Sequence, residues 1–130
     1  MFSKKYFSGV TVETVADRMT SPVLSIEQDK SIKNAAEKIY GHGVGSLLVT
    51  HNENLIGIIT KTDLMIRVLA KNLDAESTRV AEVMSQPLIT IDAGEPLNSA
   101  RELLREKAIR HLAVTRDDQI IGILSIKDFR

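Results

Sequence analysis

One segment of this chain is written twice. GIITKTDL at positions 57–64 and GILSIKDF at positions 122–129 stand 65 residues apart, and the same offset holds without a gap from about position 15 to the end. VADRMTSPVLSI falls on VAEVMSQPLITI, keeping Met19 over Met84 and Pro22 over Pro87. Further on, Ala35 meets Ala100, Glu37 meets Glu102, and Val49-Thr50 meets Val114-Thr115. Such a repeat requires both copies to follow one chain path. The period exceeds that of short solenoid repeats, which points to two copies about a pseudo-two-fold axis rather than an array. A copy of about 60 residues has only a marginal core, so the copies gain by packing on each other.

Each copy has the same grammar. Residues 15–19 and 80–84 read as one or two helical turns, stopped by the proline that follows. Residues 23–26 and 88–91 are short β-branched strands. A helix comes next, with apolar Ile32, Ala35, Ala36 and Ile39 in one copy and Leu97, Ala100, Leu103 and Leu104 in the other. Pro96 suits an early helical position, which has no N–H bond to lose. Strands at 46–50 and 55–60 are joined by HNEN, those at 111–115 and 120–125 by RDDQ, and turns this short make antiparallel hairpins. A further helix over 63–72 carries Leu64, Val68 and Leu69 as its stripe, while the second copy reaches Arg130 where that helix is due to start. The expected fold is α+β, β-α-β-β-α twice, divided as a loose N-terminal lead (1–13), a first motif (14–73), a linker (74–78) and a second motif (79–130) with its final helix truncated.

Composition narrows the function. Lys plus Arg and Asp plus Glu are 17 each, so no basic excess favours nucleic acid. There is no cysteine, which removes disulfides, zinc–thiolate sites and thiol nucleophiles. No apolar run approaches the roughly 20 residues of a membrane span, and MFSKKYFSGV lacks the apolar stretch of a secretory signal. The reading is a cytoplasmic protein with no membrane and no nucleic-acid partner.

The repeated motif is Gly, three residues ending in a hydroxyl, two variable positions, then Asp. Glycine at 57 or 122 lets a backbone or a ligand come close. Thr60 with Asp63, and Ser125 with Asp128, sit where a strand gives way to a helix. The bland account is a helix cap, the hydroxyl and acid serving the first-turn amides. The functional account uses the same geometry: free amides for phosphate, the acid for ribose hydroxyls, the aliphatic strands for a base.

The paired pattern Met-(Thr/Ser)-x-Pro, hairpin, then Gly-x-x-(Thr/Ser)-x-x-Asp resembles the tandem cystathionine-β-synthase (CBS) domain, or Bateman module, over nearly the whole chain from about Thr11. The resemblance implies two CBS folds packed through their sheets. It also implies adenosine-containing ligands, such as AMP, ADP, ATP or S-adenosylmethionine, in clefts between the motifs, and a regulatory role without catalysis or cofactor. Carried onto this sequence, a first site comprises Ser21, Pro22, Val44, Gly45, Ser46, Thr60, Thr62 and Asp63. A second comprises Gln86, Pro87, Ile109, Arg110, His111, Ser125, Lys127 and Asp128. Arg110, His111 and Lys127 face Gly45, Ser46 and Thr62 at matching positions, so the second site is expected to prefer a phosphorylated nucleotide. The truncated helix leaves apolar surface near Phe129, from which a homodimer is expected, with an unidentified regulated protein as partner.

Other residues invite simpler accounts. His42, His51 and His111 share no metal-ligand spacing. His42 sits at a glycine-rich helix end and His51 in a polar turn, leaving His111 as the ligand neighbour. GHGVG lacks the Lys-(Ser/Thr) of a phosphate loop. Glu13, Asp17 and the acids between 74 and 82 have no nucleophile or base beside them. Met19 and Met84 read as core fillers. The rival reading is a ligand-free dimerising scaffold.

Overall fold

The structure is a computed structural model that describes residues 5–7 and 10–129. Of the expected lead, residues 1–4, 8 and 9 lie outside the described residues, as does Arg130; the remainder holds two short antiparallel strands, β1 (Lys5–Phe7) and β2 (Val10–Val12). The first copy then forms β3 (Ser25–Glu27), α1 (Ile32–His42), β4 (Ser46–His51), β5 (Asn54–Thr60) and α2 (Lys61–Asp63). The second forms β6 (Thr90–Asp92), α3 (Leu97–Lys107), β7 (His111–Arg116) and β8 (Gln119–Ser125), ending in a 3-10 turn, Ile126–Phe129. The expected α+β order is therefore present.

Each copy contributes a three-stranded sheet, β3-β4-β5 or β6-β7-β8, whose first pair is parallel and second antiparallel. Parallel neighbours need a crossover, which α1 and α3 provide. The hairpins close through two residues each, Asn52–Glu53 and Asp117–Asp118, all at positive φ between 50° and 68°. That handedness matches the twist of the flanking strands. Ser31 Oγ accepts from Asn34 N at 3.1 Å to start α1, and Gly43 ends it at φ 64°. At the same place in the second copy, α3 ends on Ala108 at φ 54°.

The packing boundaries differ from the repeat boundaries. The chain forms a central unit, Leu24–Leu88, and a split unit, Met1–Val23 with Ile89–Arg130. In the central unit, Val80, Val83 and Met84 join Ile26, Ile32, Ala35, Ile39, Leu47, Val49 and Ile59 in one core. In the split unit, Val15 joins Ile91, Ala93, Ala100, Leu104, Leu112, Val114 and Leu124. Each motif's leading segment thus closes the core of the other motif's hairpin. Backbone bonds fix the exchange: Val80 N to Lys30 O at 2.8 Å and Ser85 N to Ile58 O at 2.8 Å in one unit, Val15 N to Glu95 O at 2.9 Å and Thr20 N to Ile123 O at 2.8 Å in the other. Burying each Val, Leu or Ile stabilises by about 1.5–3 kcal/mol. The expected linker is pinned as well, Ala75 O and Thr78 O accepting from Lys33 N and Ile32 N.

Two helical faces depart from the sequence expectation. Ala36 is exposed, so the buried line of α1 is Ile32, Ala35 and Ile39. The second helix starts at Lys61 and continues as a π-helical stretch, Leu64–Val68. A π turn takes more residues per rotation than an α turn and resets the face. Leu64, Val68 and Leu73 pack on the core, whereas Leu69 is 73% exposed beside Met65 and Ile66. Among the described residues, no helix is long and apolar enough to cross a membrane.

Two strand-to-helix ends as the candidate site

The two glycines mark where each exchanged segment crosses its hairpin. A Cβ at Gly57 would stand 2.7 Å from Ser85 O and 3.2 Å from Met84 Sδ; one at Gly122 would stand 2.6 Å from Met19 Sδ and 3.0 Å from Thr20 O. The close approach that glycine permits is therefore to the exchanged segment, to its backbone first at Gly57 and to the Met19 side chain first at Gly122, and it brings a Met-hydroxyl pair, Met84-Ser85 or Met19-Thr20, onto the strand leading to the acid.

At the end of β5, Ser46 pairs with Thr60 and Lys61 N donates to Gly45 O at 3.0 Å. At the end of β8, His111 pairs with Ser125 and Ile126 N donates to Arg110 O at 2.9 Å. Gly45, Ser46, Thr60, Thr62 and Asp63 thus share one strand-to-helix end, and Arg110, His111, Ser125, Lys127 and Asp128 share the other. Val44 packs on the central core beside its end. Ile109 packs on the split core and lines a hollow of about 340 Å³ with Arg101, Leu104, Arg105, Ile126 and Phe129. In the central unit Val68 and Leu73 pack against the core. The Arg101 guanidinium sits over the Phe129 ring, 5.1 Å from its centre.

The remaining expected residues fall on the opposite units. Ser21 and Pro22, expected with Asp63, belong to the split unit, and Gln86 and Pro87, expected with Asp128, to the central unit. The cause is the crosswise pairing of Ser85 with Ile58 and of Thr20 with Ile123. Within the central unit, Ser85 and Gln86 cross the strand that leads to Asp63, Gln86 Cβ lying 3.6 Å from the Cβ position of Gly57.

The acids differ in their engagement. Asp63 is 8% exposed. Its Oδ2 accepts from Thr60 N at 3.0 Å while Thr60 Oγ1 accepts from Asp63 N at 3.0 Å, a reciprocal capping box. Its Oδ1 accepts from Ser85 Oγ at 3.3 Å and lies 3.8 Å from Arg67 Nε. Arg67 Nη1 in turn donates to Val83 O at 2.7 Å and Met84 O at 3.0 Å. Asp128 is half-buried, and among the described residues its carboxylate makes one hydrogen bond, accepting from Ser125 N at 2.6 Å. Ser125 Oγ accepts from Lys127 N at 3.3 Å rather than from the acid's own amide.

Arg18 supplies the nearby cation in the split unit. Its Nη1 donates to Asp128 O at 2.8 Å and its Nε to Glu13 Oε2 at 2.6 Å. Glu13 first, then Asp128 and Asp17, hold the Arg18 pKa above its ordinary value. Sequence reasoning passed over Ser85, Arg67, Thr20 and Arg18. The signals were a hydroxyl following Met in both copies and an arginine four residues after Asp63, the spacing of a helical ion pair. His42 Nδ1 lies 3.0 Å from Lys38 O at the end of α1, and His51 Nδ1 lies 2.9 Å from Gln28 Nε2.

A family model for the CBS domain matches residues 12–70 and 80–130. The chain belongs to the CBS domain family. It is 33% identical to the uncharacterized protein MK0525 of Methanopyrus kandleri over 121 residues, spanning 92% of this chain and 60% of that protein. It is 30% identical to the CBS domain-containing protein YhcV of Bacillus subtilis over 117 residues, spanning 90% of this chain and 83% of that one. Among solved structures, the CBS domain pair of protein MJ0100 in complex with 5′-methylthioadenosine and S-adenosyl-L-methionine aligns with a TM-score of 0.76 at 25% identity, over 91% of this chain and 93% of that one. The two CBS motifs are thus the repeat read from the sequence.

Proposed function

We propose that this CBS pair is a cytoplasmic regulatory module that binds an adenosine-containing ligand and passes the event to a partner protein by a change of conformation, without a reaction of its own. AMP, ADP, ATP and S-adenosylmethionine are the ligand candidates, and the protein acts as a homodimer. The observation that carries the reading is Asp128, a half-buried carboxylate with one capping bond among the described residues, on the same hairpin end as Arg110, His111, Ser125 and Lys127. An acid with acceptor capacity left suits a ribose diol, and cations beside it suit a phosphate. The MJ0100 pair, with its two adenosine compounds, supports the same ligand class. A ligand shifts a conformational equilibrium only through its difference in affinity between the states, so the partner reads that difference.

Thermal melting with AMP, ATP and S-adenosylmethionine tests the proposal. Ligand at a hundred times its Kd stabilises by about 2.7 kcal/mol. The shift is expected to fall more with Asp128→Ala than with Asp63→Ala. A greater loss with Asp63→Ala would reverse the ranking of the two acids. The second reading, a ligand-free scaffold, draws on the full engagement of Asp63 and on the exposure of Met65 and Ile66, at 61% and 59%. Absence of any shift with all three compounds, together with a dimer by light scattering, selects the scaffold.

A further inference from the structure

We propose that Ser85 holds the place of a sugar hydroxyl on Asp63, and that this internal contact makes the central unit's acid the weaker nucleoside ligand. The inference rests on the adenosine reading above. Asp63 Oδ2 is committed to the Thr60 amide at 3.0 Å, which leaves Oδ1 for any incoming diol. Ser85 Oγ already donates to Oδ1 at 3.3 Å. An aliphatic hydroxyl is the same donor that ribose would bring, so a ligand exchanges like for like there and gains little net hydrogen bonding.

Arg67 strengthens the internal arrangement. Its Nε lies 3.8 Å from Oδ1, and its Nη1 bonds Val83 O and Met84 O, the two carbonyls leading into Ser85. Pushing Ser85 aside strains a segment that the same arginine holds. Two roles follow: Ser85 is a specificity-determining residue, and Arg67 is a positioning residue acting through it. Among the described residues the split unit shows no such competitor. The residue matching Ser85 is Thr20, which is exposed and makes no side-chain bond to Asp128 among the described residues. Arg18 donates to the Asp128 backbone carbonyl and, among the described residues, makes no hydrogen bond to the carboxylate.

Calorimetric titration of adenosine and of 2′,3′-dideoxyadenosine decides the matter, using the wild-type chain, Asp128→Ala, and Asp128→Ala combined with Ser85→Ala or Ser85→Thr, each checked for a folded melt. In the Asp128→Ala background, Ser85→Ala is expected to tighten adenosine by about tenfold, or to reveal binding where none was measurable. The dideoxy compound is expected not to respond, and Ser85→Thr, which restores a hydroxyl, to behave as Ser85. A local loosening without hydroxyl competition improves both compounds equally, and that result overturns the inference. So does unchanged or weaker adenosine binding in the Ser85→Ala protein while wild type still binds. If adenosine binds none of the four proteins, including wild type, the adenosine reading itself falls and takes this inference with it.

Discussion

The central and split units carry the same motif and use it differently. In the central unit Asp63 closes a reciprocal cap, meets Ser85 and Arg67, and is nearly inaccessible. In the split unit Asp128 receives one amide and stays half-buried. The difference originates outside the motif, in whichever hydroxyl the exchanged segment delivers and whichever arginine holds that segment. A repeated Gly…Asp pattern therefore specifies where an acid sits, and its neighbours decide how many of its acceptor positions are already filled.

The largest expected contrast concerns the crossing points. Gly57→Ala pushes a methyl to 2.7 Å from a backbone oxygen, which has to move with its strand. Gly122→Ala meets Met19 Sδ at 2.6 Å, the far end of a flexible side chain, with Thr20 O at 3.0 Å behind it. Overpacking costs typically about 1–3 kcal/mol. The first variant belongs near the top of that range and the second near the bottom, as read by urea denaturation. Equal losses would show that the two crossings are equally rigid.

A smaller contrast concerns the arginines. Arg67→Met keeps an apolar stem and removes the donor to Val83 O and Met84 O, for an expected loss of about 1.5–2 kcal/mol, in the range of hydrogen bonds to charged groups. Both arginines are exposed, but the Arg67 bonds to Val83 O and Met84 O are partly buried. The Arg18 bonds to Glu13 and Asp128 O are open to water and contribute little. Arg18→Met is expected to lower the melting temperature by less than Arg67→Met does. A larger drop for Arg18→Met would make the split unit the one that depends on its clamp.

Much of this architecture was open to reading before any coordinates. The sheets, the crossover helices and the hairpins follow from apolar spacing and from turns of fixed length, all local signals. Val44–Ser46 and Ile109–His111 could be placed beside their acids because a hairpin sets its own register. The exchange of leading segments could not, because a proline segment carries no mark of which of two near-identical hairpins it will cross. Ser21 and Pro22 therefore share a unit with Asp128, and Gln86 and Pro87 share one with Asp63. Leu69 was placed in the core stripe because a regular helical period was applied across the π-helical stretch Leu64–Val68. Ser85 went unremarked because its role exists only once the exchange has occurred.

The finest contrast lies where α1 and α3 end. Both close on a left-handed residue, Gly43 at φ 64° and Ala108 at φ 54°. A side chain in that region costs roughly 1–2 kcal/mol. Introducing glycine returns about 0.4–1 kcal/mol of that through the greater freedom of the unfolded chain. Ala108→Gly is therefore expected to stabilise by about 0.5–1 kcal/mol, and Gly43→Ala to destabilise by a similar amount, since nothing lies within 4 Å of a Cβ there to add a clash. Made together, the two changes are expected to cancel in the urea midpoint. Cancellation requires the units to unfold in one transition. If Gly43→Ala instead splits the curve in two, the central unit melts by itself, and the contrast between the acids has to be measured unit by unit.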